Sequence, residues 1–467
     1  MNVRTSVTSN ITFSCFLSQF RNVLTFFTVP IISVSLYEGK TESGLWIILE
    51  TMDNNRCLVV AGPFLPYNDT VTQLVYKQLR LLPFSFDVCA LGGPEDPTLR
   101  NVLANDPTYQ KFNVNITDLD RNVRFYIHNI DLFKALRHMN RYIENAVRMY
   151  QGQSFIYTNS FPCYSIRAGV AVRKINPQVK WIASFSDPLN HSPYKYDEAT
   201  YKSYSLPEKI AFRLYCKYYV VDQDEADAFE QANLLVFIDE EQRDFMIEQY
   251  MKYFHNKTED EIRRKCVIVP LNYVPEWNLI QPSVKDIPEH DTYILSHFGR
   301  VYGFRLIEEF LYAFADFRKE YPDHPVHINQ YGEFRKNDKA LIHTLGLDDC
   351  FTFTDKIPYE DCIQKMSESD GVLLFDTILP EDMIQPYLPS KILEYSLLKK
   401  NCLAVTTSRS PAYRIMKKTS AIACRYDRND ILNGLEKLII NKQSSVIEYA
   451  GNNEKATEEF RSRVLSL

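Results

Sequence analysis

The chain has 467 residues, 45% of them hydrophobic and 24% charged, with a formal net charge of −6. That length exceeds one ordinary core, so two or three domains are expected in soluble globular material. The acidic balance argues against a general nucleic-acid binder, which needs a basic footprint. The ten cysteines form no CxxC and no Cys/His pair at metal spacing, which points to reduced, mostly buried thiols and no metal site.

The first 51 residues stand apart. Residues 5–37 contain a single charge, Arg21, yet Arg21 and Pro30 interrupt the run before it reaches the length of a membrane-spanning helix. It lacks a basic start followed by a cleavage site. Met52 follows, and a buried-strand pattern begins at Cys57. Residues 1–52 are therefore read as an extension outside the fold, open to being an upstream artefact, a membrane-contacting segment or an added strand. Four N-x-S/T sequons, at Asn10, Asn68, Asn115 and Asn256, carry little weight without a secretion signal.

Strand-like apolar runs then occur at 57–61, 86–91, 122–128, 154–159, 179–185, 233–238 and 266–270. Helical patterns fill 131–149, 207–231 and 239–253. Prolines at 275, 282 and 288 mark 274–291 as a linker. A second series follows, with strands at 293–298, 326–331, 351–354, 371–375, 402–406 and 421–424. A helix at 305–318 shows Leu306, Phe310, Ala313 and Phe317 on one face. Alternating elements imply parallel sheets covered by helices, and two such domains in series leave a cleft between them. The expected division is an N-terminal domain over 53–275, a C-terminal domain over 285–450 and a terminal helix over 451–467.

Residues 387–405, YLPSKILEYSLLKKNCLAV, carry the clearest chemistry. They place Lys391 and Glu394 three apart at the start of a helix that follows an apolar strand. A helix start offers free N–H groups to a phosphate. Lys391 adds a charge suited to a diphosphate, against the usual preference for acids in a first turn. Glu394 could accept hydrogen bonds from two sugar hydroxyls, or simply pair with Lys391 or Lys399 along the helix. Asp222-Gln223-Asp224 has the form of a metal-binding DxD, but it lies in a helical polar stretch and reads as a solvated face.

Several segments, in order, resemble the GT-B glycosyltransferases, and within them the retaining group 4-like branch. Ser296-His297-Phe298-Gly299-Arg300 with Gly303-Phe304-Arg305 resembles the family's donor-domain opening. Residues 353–359 followed by 366–370 resemble the loop that faces the base and the helix after it. Pro389 to Tyr395 resembles the nucleotide-sugar motif, and Trp181 to Pro188 resembles the W-I-x-D-x-R-D-P segment of a bacterial subgroup. The likeness spans roughly residues 55 to 445.

It implies two Rossmann-like doubly wound α/β domains facing a cleft. It also implies transfer of a sugar, of hexosyl type, from a nucleoside-diphosphate donor to a glycan or lipid-linked acceptor, as in cell-surface polysaccharide synthesis. Donor contacts would come from Gly299, Arg300, Arg305, Lys356, Ile357, Ser390, Lys391 and Glu394. Catalytic roles would fall to Arg300, Lys391, Asp187 and His191. Retention, metal independence, no cofactor and a cytoplasmic location belong to the same expectation.

The departures are specific. Pro386 stands where the family often has the first of two glutamates, Arg305 replaces a lysine, and Ser186 replaces an arginine. A GT-B epimerase and a non-catalytic glycan-binding or assembly relative are the alternatives. Two helices, with Lys134, Arg137, His138 and Arg141 and with Lys209, Phe212, Arg213, Tyr215, Lys217, Tyr218 and Tyr219, are cationic and aromatic enough to lie on an anionic membrane face. An ordinary exposed face explains them equally well.

Overall fold

The computed structural model describes residues 56–67, 70–92, 95–117, 132–188, 190–194, 205–274, 291–419, 421–449 and 454–467. The expected extension, the expected strand at 122–128 and nearly all of the expected linker lie outside these residues. The first domain holds β1 (Arg56–Pro63), β2 (Ser85–Leu91), β3 (Phe112–Thr117), β4 (Phe155–Asn159), β5 (Lys180–Ser184), β6 (Leu234–Phe237) and β7 (Cys266–Ile268). They pair in parallel in the order β3-β2-β1-β4-β5-β6-β7.

The second domain holds β8 (Tyr293–Phe298), β9 (Val326–Tyr331), β10 (Phe351–Thr354), β11 (Gly371–Phe375), β12 (Asn401–Thr406) and β13 (Ile422–Arg425). Its order is β10-β9-β8-β11-β12-β13, again parallel throughout. Both sheets therefore reverse direction beside their first strand, and a crevice forms at that switch point. They belong to one compact unit, Thr51–Leu467.

The apolar runs are continuous because both faces of each sheet are covered. In β1, Leu58 and Val60 enter one core, while Cys57, Val59 and Ala61 enter the other. In β11, Leu373 and Phe375 face one side and Val372 and Leu374 the opposite side. The helix Ser165–Ile175 seats Gly169 directly on the Trp181 indole. A Cβ at Gly169 would lie 2.4 Å from a ring carbon, so only glycine permits this approach.

Four local expectations are corrected. A strand not foreseen, β3, lies at the sheet edge; Phe112, Val114 and Ile116 alternate with Asn113, Asn115 and Thr117, but asparagine is a poor strand former. The single helix expected over 207–231 is two, Leu206–Tyr218 and Asp222–Gln231, with Val221 extended between them. The helix expected from 305 begins at Glu308, so Arg305 sits in the preceding loop. Asp222-Gln223-Asp224 is not a solvated face. Asp224 is buried and takes two hydrogen bonds from Arg167 Nε at 2.8 Å.

The last helix, Glu454–Leu465, packs Phe460 and Val464 into the core of the first domain, beside Val267 and Val269. Every cysteine among the described residues is a free thiol. No helix among them is long and apolar enough to cross a membrane.

Candidate functional site

Between the carboxyl ends of the two sheets lies a cleft of about 1190 Å³. Its C-terminal wall starts where β8 and β9 end in glycines. Gly299 has φ +146° and Gly332 has φ +117°, conformations that L side chains rarely adopt. A Cβ on Gly332 would sit 2.7 Å from the Gly299 carbonyl, so the two strand ends cross closely. Gln330 holds that crossing, donating from Nε2 to the carbonyls of Gly299 at 2.8 Å and Gly332 at 3.3 Å. His297, 3% exposed, bonds through Nδ1 to Gln330 Oε1 at 2.7 Å, and burial pushes its pKa down to about 4. It is therefore a neutral ring at physiological pH.

Seven of the expected donor residues line this cleft together: Gly299, Arg300, Lys356, Ile357, Ser390, Lys391 and Glu394. Arg300 donates from Nε to Glu333 Oε2 at 2.8 Å, and both side chains are mostly exposed. Lys391 opens the helix Lys391–Leu397; its Nζ lies 3.6 Å from Glu394 Oε1 and 5.7 Å from the Tyr359 ring centre. Tyr359 OH donates to the same Glu394 oxygen at 3.4 Å. Glu394 is 9% exposed, and its Oε2 has no hydrogen-bond partner among the described residues. A buried carboxylate oxygen without a donor is costly unless something else supplies one.

Asp187, His191 and Arg305 are not among the lining residues. Asp187 follows β5 and keeps contact with solvent, yet protein crowds around it and raises its pKa to about 6; the charge of Arg305 works against that rise. Arg305 donates from Nη1 to the Arg300 carbonyl at 3.0 Å and lies 5.1 Å from the Tyr302 ring centre. Its Nε is buried without a partner among the described residues. His191, at φ +49°, stacks its ring on Tyr253 with centroids 3.5 Å apart, and its amide donates to Asp222 Oδ1 at 3.3 Å.

Residues that the sequence did not single out organise the loop between β11 and Lys391. Asp376 is 1% exposed. It accepts from Thr377 N at 2.7 Å, Gln385 Nε2 at 2.6 Å and Thr406 Oγ1 at 2.7 Å. Burial raises its pKa to about 6. Gln385, fully buried, precedes Pro386, the position where the family often has a glutamate. The loop also joins the two domains. Tyr387 and Ser192 share a hydroxyl contact at 2.7 Å, and Tyr194 and Thr377 one at 2.8 Å. Arg414 grips Glu241 through two bonds at 2.6 and 2.8 Å. None of these partners is close in sequence, so no local motif announces them.

No family model matches the chain. No curated protein sequence matches it either. Solved structures do match in fold. A sucrose-phosphate synthase from Thermosynechococcus elongatus is 13% identical, covers 88% of this chain and 94% of its own, and has a TM-score of 0.55. The lipopolysaccharide outer core galactosyltransferase WaaB, 12% identical, covers 88% and 99% at 0.51. Anabaena HepE in complex with UDP and glucose, 13% identical, covers 88% and 98% at 0.51. The fold of the described residues is thus the GT-B fold, two parallel-sheet α/β domains.

Proposed function

We propose that this protein transfers a sugar from a nucleoside-diphosphate donor to an acceptor held by the N-terminal domain. The observation that carries this reading is Glu394: a buried carboxylate with one oxygen lacking a donor, beside Lys391, on a cleft shared by both domains. A ribose with two adjacent hydroxyls would satisfy that oxygen, and Lys391 and Arg300 would take the diphosphate. The three comparison proteins are named as a synthase, a transferase and a UDP complex, which supports a nucleotide-sugar ligand.

The chemistry follows from charge. As the bond to the anomeric carbon breaks, negative charge grows on the leaving diphosphate, and Arg300 and Lys391 stabilise it more in the transition state than in the ground state. Arg300 must first exchange Glu333 for phosphate. Arg305, fixed on the Arg300 carbonyl, holds that backbone and extends the positive field toward Asp187. The backbone at Lys356 and Ile357 faces the base, and Ser390 adds a hydroxyl at the diphosphate. Asp187 and His191 belong to the acceptor side. Asp187 acts through its carboxylate, and His191 holds the turn before Tyr194 by its stack on Tyr253.

Retention of configuration, independence of metal and a glycan or lipid-linked acceptor at the inner membrane face complete the reading. A thermal-shift panel of UDP-, GDP- and ADP-sugars tests it. One of them should stabilise the protein by about 2.7 kcal/mol at a hundredfold excess over its Kd. No shift with any of the three sinks the reading.

A further inference from the structure

Opposite the donor wall stands a cation that the reading above does not use. The helix Thr70–Leu79 turns Thr70, Gln73, Leu74 and Lys77 toward the cleft, the spacing of one helical face. Lys77 is half-buried. Among the described residues nothing gives its ammonium a hydrogen bond or an ion pair. The other half-buried cation of the cleft, Lys391, lies 3.6 Å from Glu394, and Arg300 is paired with Glu333.

The acids nearby are engaged elsewhere. Glu95 pairs with Arg100 at 3.0 Å, and Asp96 caps the helix Pro97–Ala104 by accepting from Leu99 N at 3.1 Å. Asp355 and Glu360, on the other wall, are exposed. Burial pushes the Lys77 ammonium down to about 8, with the charge of Glu394 working against it. The last-turn position suits a cation at a helix end, but that field falls off within a turn and does not replace lost water. Glu394 acts on it through its field and forms no ion pair with it, so a cation held partly out of water here is disfavoured until an anion comes within bonding distance.

We propose that Lys77 is an anion-binding residue of the N-terminal wall, taking an oxyanion of the ligand that fills the cleft. The chemistry is that of phosphate or carboxylate. Its source is either the donor's diphosphate, gripped from both domains, or an anionic group on the acceptor. Only the choice between these two sources rests on the nucleotide-sugar reading.

Calorimetry on Lys77→Met, which keeps the chain length and removes the charge, distinguishes them. The probes are uridine, UDP, inorganic pyrophosphate, and inorganic phosphate added to the UDP-saturated protein. With the donor as source, UDP and pyrophosphate weaken about ten- to hundredfold while uridine is unchanged. With the acceptor as source, only inorganic phosphate added to the UDP complex weakens by that factor. Lys77→Arg, which keeps the charge, should retain oxyanion binding.

Lys391→Ala run in parallel separates the two ideas. If it leaves UDP untouched while Lys77→Met weakens pyrophosphate, the nucleotide-sugar reading fails and the anion site stands. Oxyanion binding as tight in Lys77→Met as in the wild type overturns the proposal, as does an equal loss for uridine or a wild-type protein that binds none of the oxyanions.

Discussion

The two domains share one strand order and differ in what they place at its carboxyl end. In the N-terminal domain, the ends of β4 and β5 carry a buried neutral network. Ser186 N donates to Ser160 Oγ at 3.0 Å, and Phe161 N donates to Asn159 Oδ1 at 3.0 Å. In the C-terminal domain the corresponding region carries charge: Arg300 with Glu333, Lys391 with Glu394, and the buried carboxylate of Asp376. Topology supplies a crevice in both halves. The loop residues decide that ion pairs line the C-terminal wall, while β4 and β5 end in neutral hydrogen bonds.

The comparison can be broken from either side. The largest effect is expected from the N-terminal core. Trp181 is fully buried and donates from Nε1 to Thr158 Oγ1 at 2.9 Å, so Trp181→Ala should lower unfolding free energy by about 3–5 kcal/mol in a denaturant titration. The fraction that remains folded should bind UDP as tightly as wild type. Weakened UDP binding by that folded fraction would show that the division of labour is not as drawn.

Next comes the C-terminal wall. Lys391→Ala should cost UDP about 1.5–3 kcal/mol, a ten- to hundredfold loss, and cost uridine little. Arg300→Ala should behave alike and also slow turnover, while Glu394→Gln should weaken both ligands similarly. Equal losses for UDP and uridine in Lys391→Ala would remove its phosphate role.

Asp187, which the proposed function assigns to the acceptor, offers a smaller effect. Its pKa near 6 means that the carboxylate is charged at pH 7 and gains its proton as pH falls through 6. Wild-type transfer should drop to about a tenth of its plateau one pH unit below that point, since a single group then is about nine-tenths protonated. Asp187→Asn should be slow and flat across the same range, with UDP affinity intact. A retained acid limb in Asp187→Asn assigns the titration elsewhere.

The smallest effect concerns the occupant of Arg300. An exposed ion pair is worth about 0–1 kcal/mol, so freeing Arg300 by Glu333→Gln should tighten UDP binding by at most about fivefold. Added salt should shrink the difference. Weaker UDP binding in this variant would show that Glu333 positions Arg300 rather than competing for it.

Much of the architecture was legible because both faces of each sheet are buried. Runs such as residues 371–375 and 402–405 carry no polar side chain, and they mark strands by themselves. The edge strand β3 escaped because only part of it is buried, and its asparagines read as turn residues. Lys391 and Glu394 were legible because a helix brings residues three apart onto one face. Glu333 and His297 were not, since each meets its partner from a segment 33 residues away. Lys77 was not, since the cleft it lines is built mostly by the other domain, and Gln385 was not, since its bond to Asp376 spans an irregular loop. The break between residues 218 and 222 is a tertiary effect, and the late helix start at Glu308 is a local turn. Arg167 bonds the Tyr218 and Tyr219 carbonyls, and the Arg305 amide closes a turn on Tyr302.

The return of the last helix to the first domain bears on how the chain is made. Phe460 and Val464 complete a core whose other members end at Val274. During synthesis the N-terminal domain emerges first but must wait for the helix Glu454–Leu465 before its apolar face is closed. The C-terminal domain, whose sheet runs from Tyr293 to Arg425, has all its strands before then. The half that is translated second can therefore finish folding first, and a chain cut short near residue 450 would carry a complete C-terminal sheet and an exposed, adhesive N-terminal core.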